Sequence, residues 1–547
     1  MIVEVEVPRE RGGCGVKDTL VIPQRRGTQH EVRGTLITAD RVVTLGHART
    51  QARAVLVRGS RVVWVGDDPD HAPAHRARLA LDGCVIGPAF VDAHAHMTTM
   101  GMSLRGLDLS QARSGAELLR LVAAYAAQST SRVIWGHGLD PHGYPDDLPT
   151  AEQLADVAGG AAVYLARADG HGCLVDQHTL RSAPLARADG VEVDAGTPTG
   201  VLRREANRIM RRWSVGAMDR SHLAEARRVA VRHAASLGVG SVHEMGGPDL
   251  MGVDDFDAWV EGEWPIEVLP FWGDLDLAVP IERDLRVVGG DLFLDGSLGA
   301  RTAALDEPYH DRPGHHGELE FDDDNLVAWF TEVTRTGLQS AVHAVGDAAV
   351  RQAVRCWAKV AENLDRDGGR DMIRRGRHRI EHADVLPVDV LDDVAELGLH
   401  ISGQPAYEGR WGGPGGVYET RLGPERAAGT NPFRALADRG IGVAFGSDGD
   451  SYAADPWRTV WHAETRRHAE HAVGRLEAVS MSTLGGRSAA RQDRYVGVVR
   501  AGMRADLAAF EGDPYAADDP RGHPAVLTVV NGRTAYGEAP LPDAPGR

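Results

Sequence analysis

Two histidines separated by a single residue could hold a metal ion. They are His94 and His96, in the stretch "AFVDAHAH". Successive side chains of a β-strand alternate between its faces, so residues i and i+2 leave the same face. If this stretch is a strand, both imidazoles can reach a single ion. The pair therefore predicts a metal site, provided that other parts of the chain supply the remaining ligands.

Further candidate ligands follow other strand-like runs. His343 lies in "AVHAVGD", His382 in "RIEHAD" and Asp448 in "AFGSDGD". In a parallel α/β barrel, side chains at the carboxyl ends of the strands meet at one mouth. The set is rich in nitrogen donors, so it predicts one or two divalent ions, with zinc favoured.

The pattern that must position these residues is an alternation of strands and helices. Besides the opening stretch, strand-like runs span residues 240–246, 266–272, 285–296, 338–347, 377–384, 399–405 and 441–450. Between them lie stretches with apolar spacing near 3.6 and a glycine stop. Eight alternating units predict an α/β fold with a (β/α)8 TIM-like barrel over residues 87–489.

The remaining segments predict additional domains. Residues 103–235 are too many for one βα unit and predict an inserted, partly helical subdomain. Short β-branched runs in residues 34–86 and 490–540, with an Asn-Gly hairpin signal in "VVNGRTA", predict a composite β-sandwich domain built from both ends. Residues 1–33 read as an irregular leader.

The composition argues against some classes of binding partner. The formal net charge of -18 argues against nucleic acid and anionic membranes, and no apolar run is long enough to cross a bilayer. The N-terminal residues show no secretory pattern, and the four cysteines show no CxxC spacing. We therefore expect a cytoplasmic protein that acts on a small molecule.

At this point the sequence resembles a known family. "GPAFVDAHAH" is similar to the first-strand motif of the amidohydrolase superfamily, and "QSAVHAVGD", "HRIEHAD", "ISGQP" and "VAFGSDGD" resemble later motifs of its YtcJ-like branch, which includes N-substituted formamide deformylases. The resemblance implies a metal-dependent barrel with a composite β-sandwich, and commonly a dimer. It implies that Asp448 carries protons and that His171, in "RADGHG", faces the substrate.

One departure from the family pattern concerns the fourth strand. Relatives typically carry there a lysine that, once carboxylated, bridges two metals; the matching residue here is Asp291, in "GGDLFLDGS". The chain has only two lysines, Lys17 in the leader and Lys359 in a helix-like stretch, so we expect no lysine carbamate. Asp291 either bridges a tightened two-metal site or the enzyme holds one ion firmly, and we favour the latter.

These features predict a hydrolase that cleaves a non-peptide carbon–nitrogen bond in an amide or formamide-like molecule. A divalent ion lowers the pKa of water to about 7, which provides hydroxide at neutral pH. Asp448 would shuttle the proton, and His382 would bind a second metal or donate to the developing oxyanion. One alternative is a one-metal deaminase of a cyclic amidine or aromatic amine; another is a non-catalytic scaffold, which the intact ligand set disfavours.

Overall fold

The computed structural model describes residues 34–46, 52–141, 144, 147–168, 170, 172–449, 454–538 and 541. The leader predicted for residues 1–33 lies outside this part of the chain.

The strands of the described residues are numbered in chain order. They are β1 Thr35–Val42, β2 Ala54–Arg58, β3 Arg61–Gly66, β4 Ala77–Pro88, β5 Phe90–Ala95, β6 Leu107–Asp108, β7 Val133–Leu139, β8 Ala162–Arg167, β9 Gly172–Val175, β10 Val191–Asp194, β11 Thr197–Arg203, β12 Val239–Gly246, β13 Glu267–Trp272, β14 Val287–Phe293, β15 Gln339–Ala344, β16 Arg379–His382, β17 His400–Gly403, β18 Gly442–Phe445, β19 Leu507–Glu511, β20 Ala525–Val530 and β21 Arg533–Tyr536.

The helices are numbered in the same way. They are α1 Met97–Arg105, α2 Gly115–Ala126, α3 Ala151–Val157, α4 Gln177–Ser182, α5 Arg204–Ala217, α6 Arg220–Ser236, α7 Val253–Glu261, α8 Ala278–Glu282, α9 Asp323–Thr336, α10 Asp347–Asn363, α11 Gly369–Gly376, α12 Leu391–Leu397, α13 Pro405–Trp411, α14 Val417–Leu422, α15 Pro424–Ala428, α16 Phe433–Asp438, α17 Pro456–Glu464, α18 Arg475–Ser480 and α19 Gly486–Ala489. Among the described helices, none has both the length and the apolar character that a membrane span requires.

Eight parallel strands carry the candidate site. Hydrogen bonds join them in two sheets, one in the order β13-β12-β5 and one in the order β14-β15-β16-β17-β18. The edges of the two sheets lie side by side, β13 beside β14 and β18 beside β5. Each strand falls where the sequence predicts one. The closure of all eight into one barrel remains a prediction.

These strands are buried because both of their faces are covered. All six residues of β15, "QSAVHA", are buried, and so are the four residues of β16. Nearly continuous burial is typical of parallel strands flanked by helices, as opposed to the alternation of a half-exposed sheet. The strands therefore form a rigid support for side chains at their ends.

Strands from both ends of the described chain share one sheet. Its order is β21-β20-β19-β4-β1-β2-β3. The predicted hairpin joins β20 to β21 through Asn531 and Gly532, whose φ angles of 53° and 73° suit a tight hairpin turn. The packing of this sheet as a sandwich, and the domain limits, remain predictions.

The segment between β5 and β12 forms a sheet of its own. Its order is β10-β11-β9-β8-β7-β6; helices α2, α3 and α4 lie between its strands in the sequence, and α5 follows the last strand. The inserted segment, which was predicted to be partly helical, thus also contains a six-stranded sheet.

An aromatic cluster connects the parallel strands to the terminal sheet. Trp457 in α17 is fully buried and makes edge contacts with Phe90 of β5, Phe510 of β19 and Tyr515, at centroid distances of 5.1, 5.2 and 4.9 Å. Burial of large aromatic surface in edge-to-face geometry is strongly stabilising. The cluster therefore fixes the first site-bearing strand against the sheet built from both ends.

Trp457→Ala should remove this contact and lower the free energy of unfolding by about 3–5 kcal/mol. Urea denaturation followed by circular dichroism measures the change. Leu476→Ala is the control, because Leu476 is 54% exposed and its loss should change stability by less than about 0.5 kcal/mol. Equal stability of the two variants would contradict the proposed role of the cluster.

Candidate metal centre

The predicted ligands come together at the carboxyl ends of the parallel strands. His94 is in β5 and His96 directly follows it, Asp291 is in β14, and His382 is the last residue of β16. Asp448 lies in the turn after β18. Because neighbouring strands run in the same direction, their ends place these residues at one edge.

Three side chains form the tightest group. The Nε2 atom of His96 lies 2.9 Å from Oδ2 of Asp291, and Nε2 of His94 lies 3.4 Å from Oδ1 of the same carboxylate. One potential ligand atom from each of the three residues lies within 4.8 Å of the others. His94 and Asp291 are buried, and His96 is partly exposed. In this geometry a single cation could contact all three residues.

Several atoms that face this centre have no hydrogen-bond partner among the described residues. They are Nε2 of His94, Nε2 of His382 and Oδ1 of Asp291, all buried. A buried polar atom without a partner is costly, and such atoms in a native structure point to an ion or water. Two imidazole nitrogens and a carboxylate oxygen are ligands that a divalent metal accepts. The residues therefore fit the predicted metal.

The other ring nitrogen of each histidine has its own partner. Nδ1 of His94 lies 2.8 Å from Oε2 of Glu381, Nδ1 of His96 lies 3.0 Å from the carbonyl of Met245, and Nδ1 of His382 lies 3.0 Å from Oε1 of Gln404. All three partners accept hydrogen bonds. In the neutral form that a metal binds, each Nδ1 therefore carries the proton and each Nε2 presents a lone pair to the centre.

A fully buried ion pair holds the Glu381 carboxylate in place. Nε of Arg379 lies 2.7 Å from Oε1 of Glu381, and Nη2 of Arg379 donates to the carbonyl of Ala93. Burial acts to raise the pKa of Glu381, but Arg379 and His94 outweigh it and lower that pKa. The charged carboxylate thus fixes His94 from behind, and Arg379 ties it to β5.

Asp448 approaches both imidazoles. Its Oδ1 atom lies 3.2 Å from Nε2 of His96 and 3.5 Å from Nε2 of His94, while Oδ2 accepts a hydrogen bond of 3.1 Å from the hydroxyl of Tyr407. Its φ of 56° is unusual for a residue other than glycine and brings the carboxylate back over β5. The backbone amide of Asp448 also donates to the carbonyl of His94.

His343 stands beside this centre but outside the tight group. Its ring centroid lies 4.4 Å from that of His382, and its Nδ1 lies 3.5 Å from Oδ1 of Asp295. Asp295 in turn accepts hydrogen bonds from the backbone amides of Val345, Gly346 and Ala304. His343 thus lies beside His382, and its role as a metal ligand stays a prediction.

Two sequence predictions concern residues away from the strands. His171 lies outside the described residues. Lys359 is on the surface of α10, where its Nζ pairs with Glu362 at 3.0 Å, and Lys17 lies in the part of the chain that the structure does not describe. Asp291 itself occupies the place of the family lysine and faces the imidazoles. The expectation that no carboxylated lysine is used stays a prediction.

The charges at the centre act on one another strongly. Burial acts to lower the pKa of His94, but Asp291, Asp448 and Glu381 hold it well above its ordinary value. Burial also acts to lower the pKa of His96, but Asp291 and Asp448 raise that pKa to about 10. Burial acts to raise the pKa values of Asp291 and Asp448, and the imidazoles hold both well below the usual range. The centre thus attracts positive charge.

Comparisons with known proteins identify the family of this chain. The chain matches the Amidohydrolase family over residues 79–536. It is 28% identical over 506 residues to the YtcJ protein of Bacillus subtilis (strain 168), covering 84% of this chain and 90% of that one. It is 22% identical over 549 residues to the N-substituted formamide deformylase of Arthrobacter pascens, covering 92% and 99%. A solved metal-dependent hydrolase from Pyrococcus furiosus is similar with a TM-score of 0.69 and 25% identity, covering 88% of this chain and 100% of that one.

Fold and site together define a metal-dependent hydrolase. The chain belongs to the amidohydrolase family, in the YtcJ-like branch that the strand-end motifs indicated.

Metal analysis tests the ligand set. Protein purified without chelator should contain about one tightly bound equivalent of divalent metal, and His96→Asn should retain roughly a tenth of it or less. His315→Asn is the matched control, because Nε2 of His315 contacts the carbonyl of Arg301 outside the centre. Two tight equivalents in the unmodified protein would refute the one-ion prediction, and full metal content in His96→Asn would remove this residue from the site.

Metal uptake should release protons. The raised pKa values of His94 and His96 mean that both imidazoles are protonated at pH 7 in the metal-free protein, whereas a metal binds the neutral ring. Zinc binding at pH 7 should therefore release about two protons, and affinity should rise with pH. Calorimetry in buffers of different ionisation enthalpy counts these protons; no release would contradict the charge state inferred for the centre.

Proposed function

We propose that the protein hydrolyses a carbon–nitrogen bond other than a peptide bond, in an amide or formamide-like small molecule. The observation that carries this proposal is the position of Asp448, within 3.5 Å of both imidazoles of the metal centre. A carboxylate beside the ion suits proton transfer between an attacking water and a leaving nitrogen.

His94, His96 and Asp291 would hold the ion, and His343 with His382 would hold a second one if it binds. A divalent cation here, with zinc favoured by the nitrogen donors, polarises a carbonyl group and makes water acidic enough to supply hydroxide at neutral pH. The chain's own task is to place the substrate and to move the proton.

Asp448 is ionised and can accept a proton. Burial acts to raise its pKa, but in the metal-free protein the neighbouring His94 and His96 hold that pKa well below the usual range. Tyr407 fixes Oδ2 by donating its hydroxyl. Asp448 would take the proton of the attacking water and return it to the leaving nitrogen, as the resemblance implies.

The tautomer of His382 distinguishes between its two predicted roles, as a metal ligand and as a hydrogen-bond donor to the oxyanion. Because Nδ1 donates to Gln404, the neutral ring offers only a lone pair at Nε2. A lone pair suits a metal ligand, whereas donation to an oxyanion requires the doubly protonated ring. Oδ1 of Asp291 lies 4.0 Å from Nε2 of His382, close enough for one ion to contact both residues. We therefore favour the ligand role.

A substrate screen with added Zn²⁺, Mn²⁺ or Fe²⁺ tests the reaction. The similarity to the formamide deformylase of Arthrobacter pascens makes N-substituted formamides the first compounds to assay. Release of formate or another carboxylate from amides would support the proposal. Release of ammonia from heterocyclic amines, without amide cleavage, would overturn it in favour of the one-metal deaminase.

Asp448→Asn should lower turnover by about 100- to 10,000-fold while keeping most of the metal, because the amide cannot accept the proton. Steady-state kinetics with metal analysis of the same sample measures both. Asp389→Asn is the control, since Asp389 forms an exposed pair with Arg351 away from the site and should retain turnover. Near-normal turnover of Asp448→Asn would reject the proton-transfer role.

A further inference from the structure

Helix α5, which follows the last strand of the inserted sheet, contacts the loop after β12. Nη1 of Arg212 pairs with Oδ1 of Asp249 at 3.2 Å, and Met251 packs against the buried cluster that contains Tyr164 and Met210. Asp249 and Met251 belong to the loop after β12, and the end of β12 provides the Met245 carbonyl that holds His96. The residues around Met210 are therefore close to the centre.

Arg211 is the next residue in this helix, and its partners are neutral. Nη2 donates to the carbonyl of Gly170 at 2.6 Å, and Nε donates to the hydroxyl of Tyr164 at 3.4 Å. Asn207 braces the same network, because its Nδ2 donates to Gly170 and its Oδ1 accepts from Tyr164. Within the described part of the chain, Arg211 has no carboxylate partner, and no acceptor bonds to its Nη1.

Other buried arginines of the described chain have carboxylate partners. Each of these pairs has an N–O distance between 2.5 and 2.9 Å: Arg379 with Glu381, Arg466 with Glu408, and Arg227 with Asp255. Arg211 is half-buried and, among the described residues, lacks such a partner in a chain of formal net charge -18. A site holding a divalent cation neutralises Asp291 and Asp448, which leaves Arg211 as a positive charge near the centre.

The electrostatics agree with this position. Burial acts to lower the pKa of Arg211, but Tyr164, Cys173 and Asp291 outweigh it and raise that pKa. The Asp291 carboxylate thus contributes to the raised pKa of Arg211, although α5 follows the strands of the inserted sheet. Arg211 stays charged at any pH at which the enzyme works.

We propose that Arg211 binds a carboxylate of the substrate, so that the amide cleaved by this enzyme is an anionic one of the N-acyl amino acid type. The inference rests on the proposed function, which specifies the bond that is cleaved. It adds that the substrate carries a negative charge. A guanidinium with Nη1 open can donate to both oxygens of a carboxylate and match its charge, whereas a neutral amide offers one carbonyl oxygen and no charge.

Two compounds that differ only by the carboxylate test the proposal: N-formylphenylalanine and N-formylphenethylamine. Zinc-loaded Asp448→Asn protein should bind the first at least about tenfold more tightly in calorimetry. Adding Arg211→Met should remove this preference by weakening only the anionic compound, whereas Arg211→Lys should restore part of it. Arg204→Gln is the matched control, because it removes one charge from the same helix at an exposed pair with Asp189, and it should keep the preference.

Equal binding of the two compounds, no binding of N-formylphenylalanine, or a preference that survives Arg211→Met would each overturn the inference. Hydrolysis by the unmodified enzyme separates this result from the proposed function. Cleavage of both compounds with equal kcat/KM would leave the function standing and reject the role of Arg211. Tight, Arg211-dependent binding without cleavage of either compound would support the anion site and count against the proposed reaction.

Discussion

The structure depends on the mutual attraction of imidazoles and carboxylates in a nearly dry space. His94, His96, Asp291 and Asp448 face one another within 2.9–3.5 Å, and atoms of His94 and Asp291 have no hydrogen-bond partner in the described chain. Carboxylates buried this way are costly unless a positive charge lies among them. In the metal-free protein protons supply that charge, and a divalent ion can replace them. The same feature therefore explains the pKa shifts and predicts an affinity for metal.

The scaffold maintains this arrangement at some conformational cost. His382, Ala383 and Asp448 have φ angles of 68°, 53° and 56°, a region that residues other than glycine rarely adopt. Such conformations cost about 1–3 kcal/mol each and persist where neighbouring contacts hold them. Two such contacts are visible: Asp92 accepts hydrogen bonds from the amide and hydroxyl of Ser447, and Ala383 donates to the carbonyl of Ala344. The strand ends are thus shaped for the site.

Much of this could be predicted from sequence because it depends on local periodicity. Alternation along a strand places His94 and His96 on one face, and the strand-end rule brings His343, His382 and Asp448 to the same edge. The residues that orient the ligands could not be predicted in this way. Glu381 and Gln404 lie inside the motifs "RIEH" and "ISGQP", but their contacts join different strands and depend on sheet register. Tyr407 gave no periodic signal, and no local pattern specifies the strand order β10-β11-β9-β8-β7-β6 of the inserted sheet.

An anomalous difference map at the zinc edge, from crystals of the zinc-loaded protein, tests the central claim most directly. The account predicts a strong peak in contact with Nε2 of His94, Nε2 of His96 and a carboxylate oxygen of Asp291. A map with no peak among these three side chains at saturating zinc, or with the ion bound elsewhere, would contradict it.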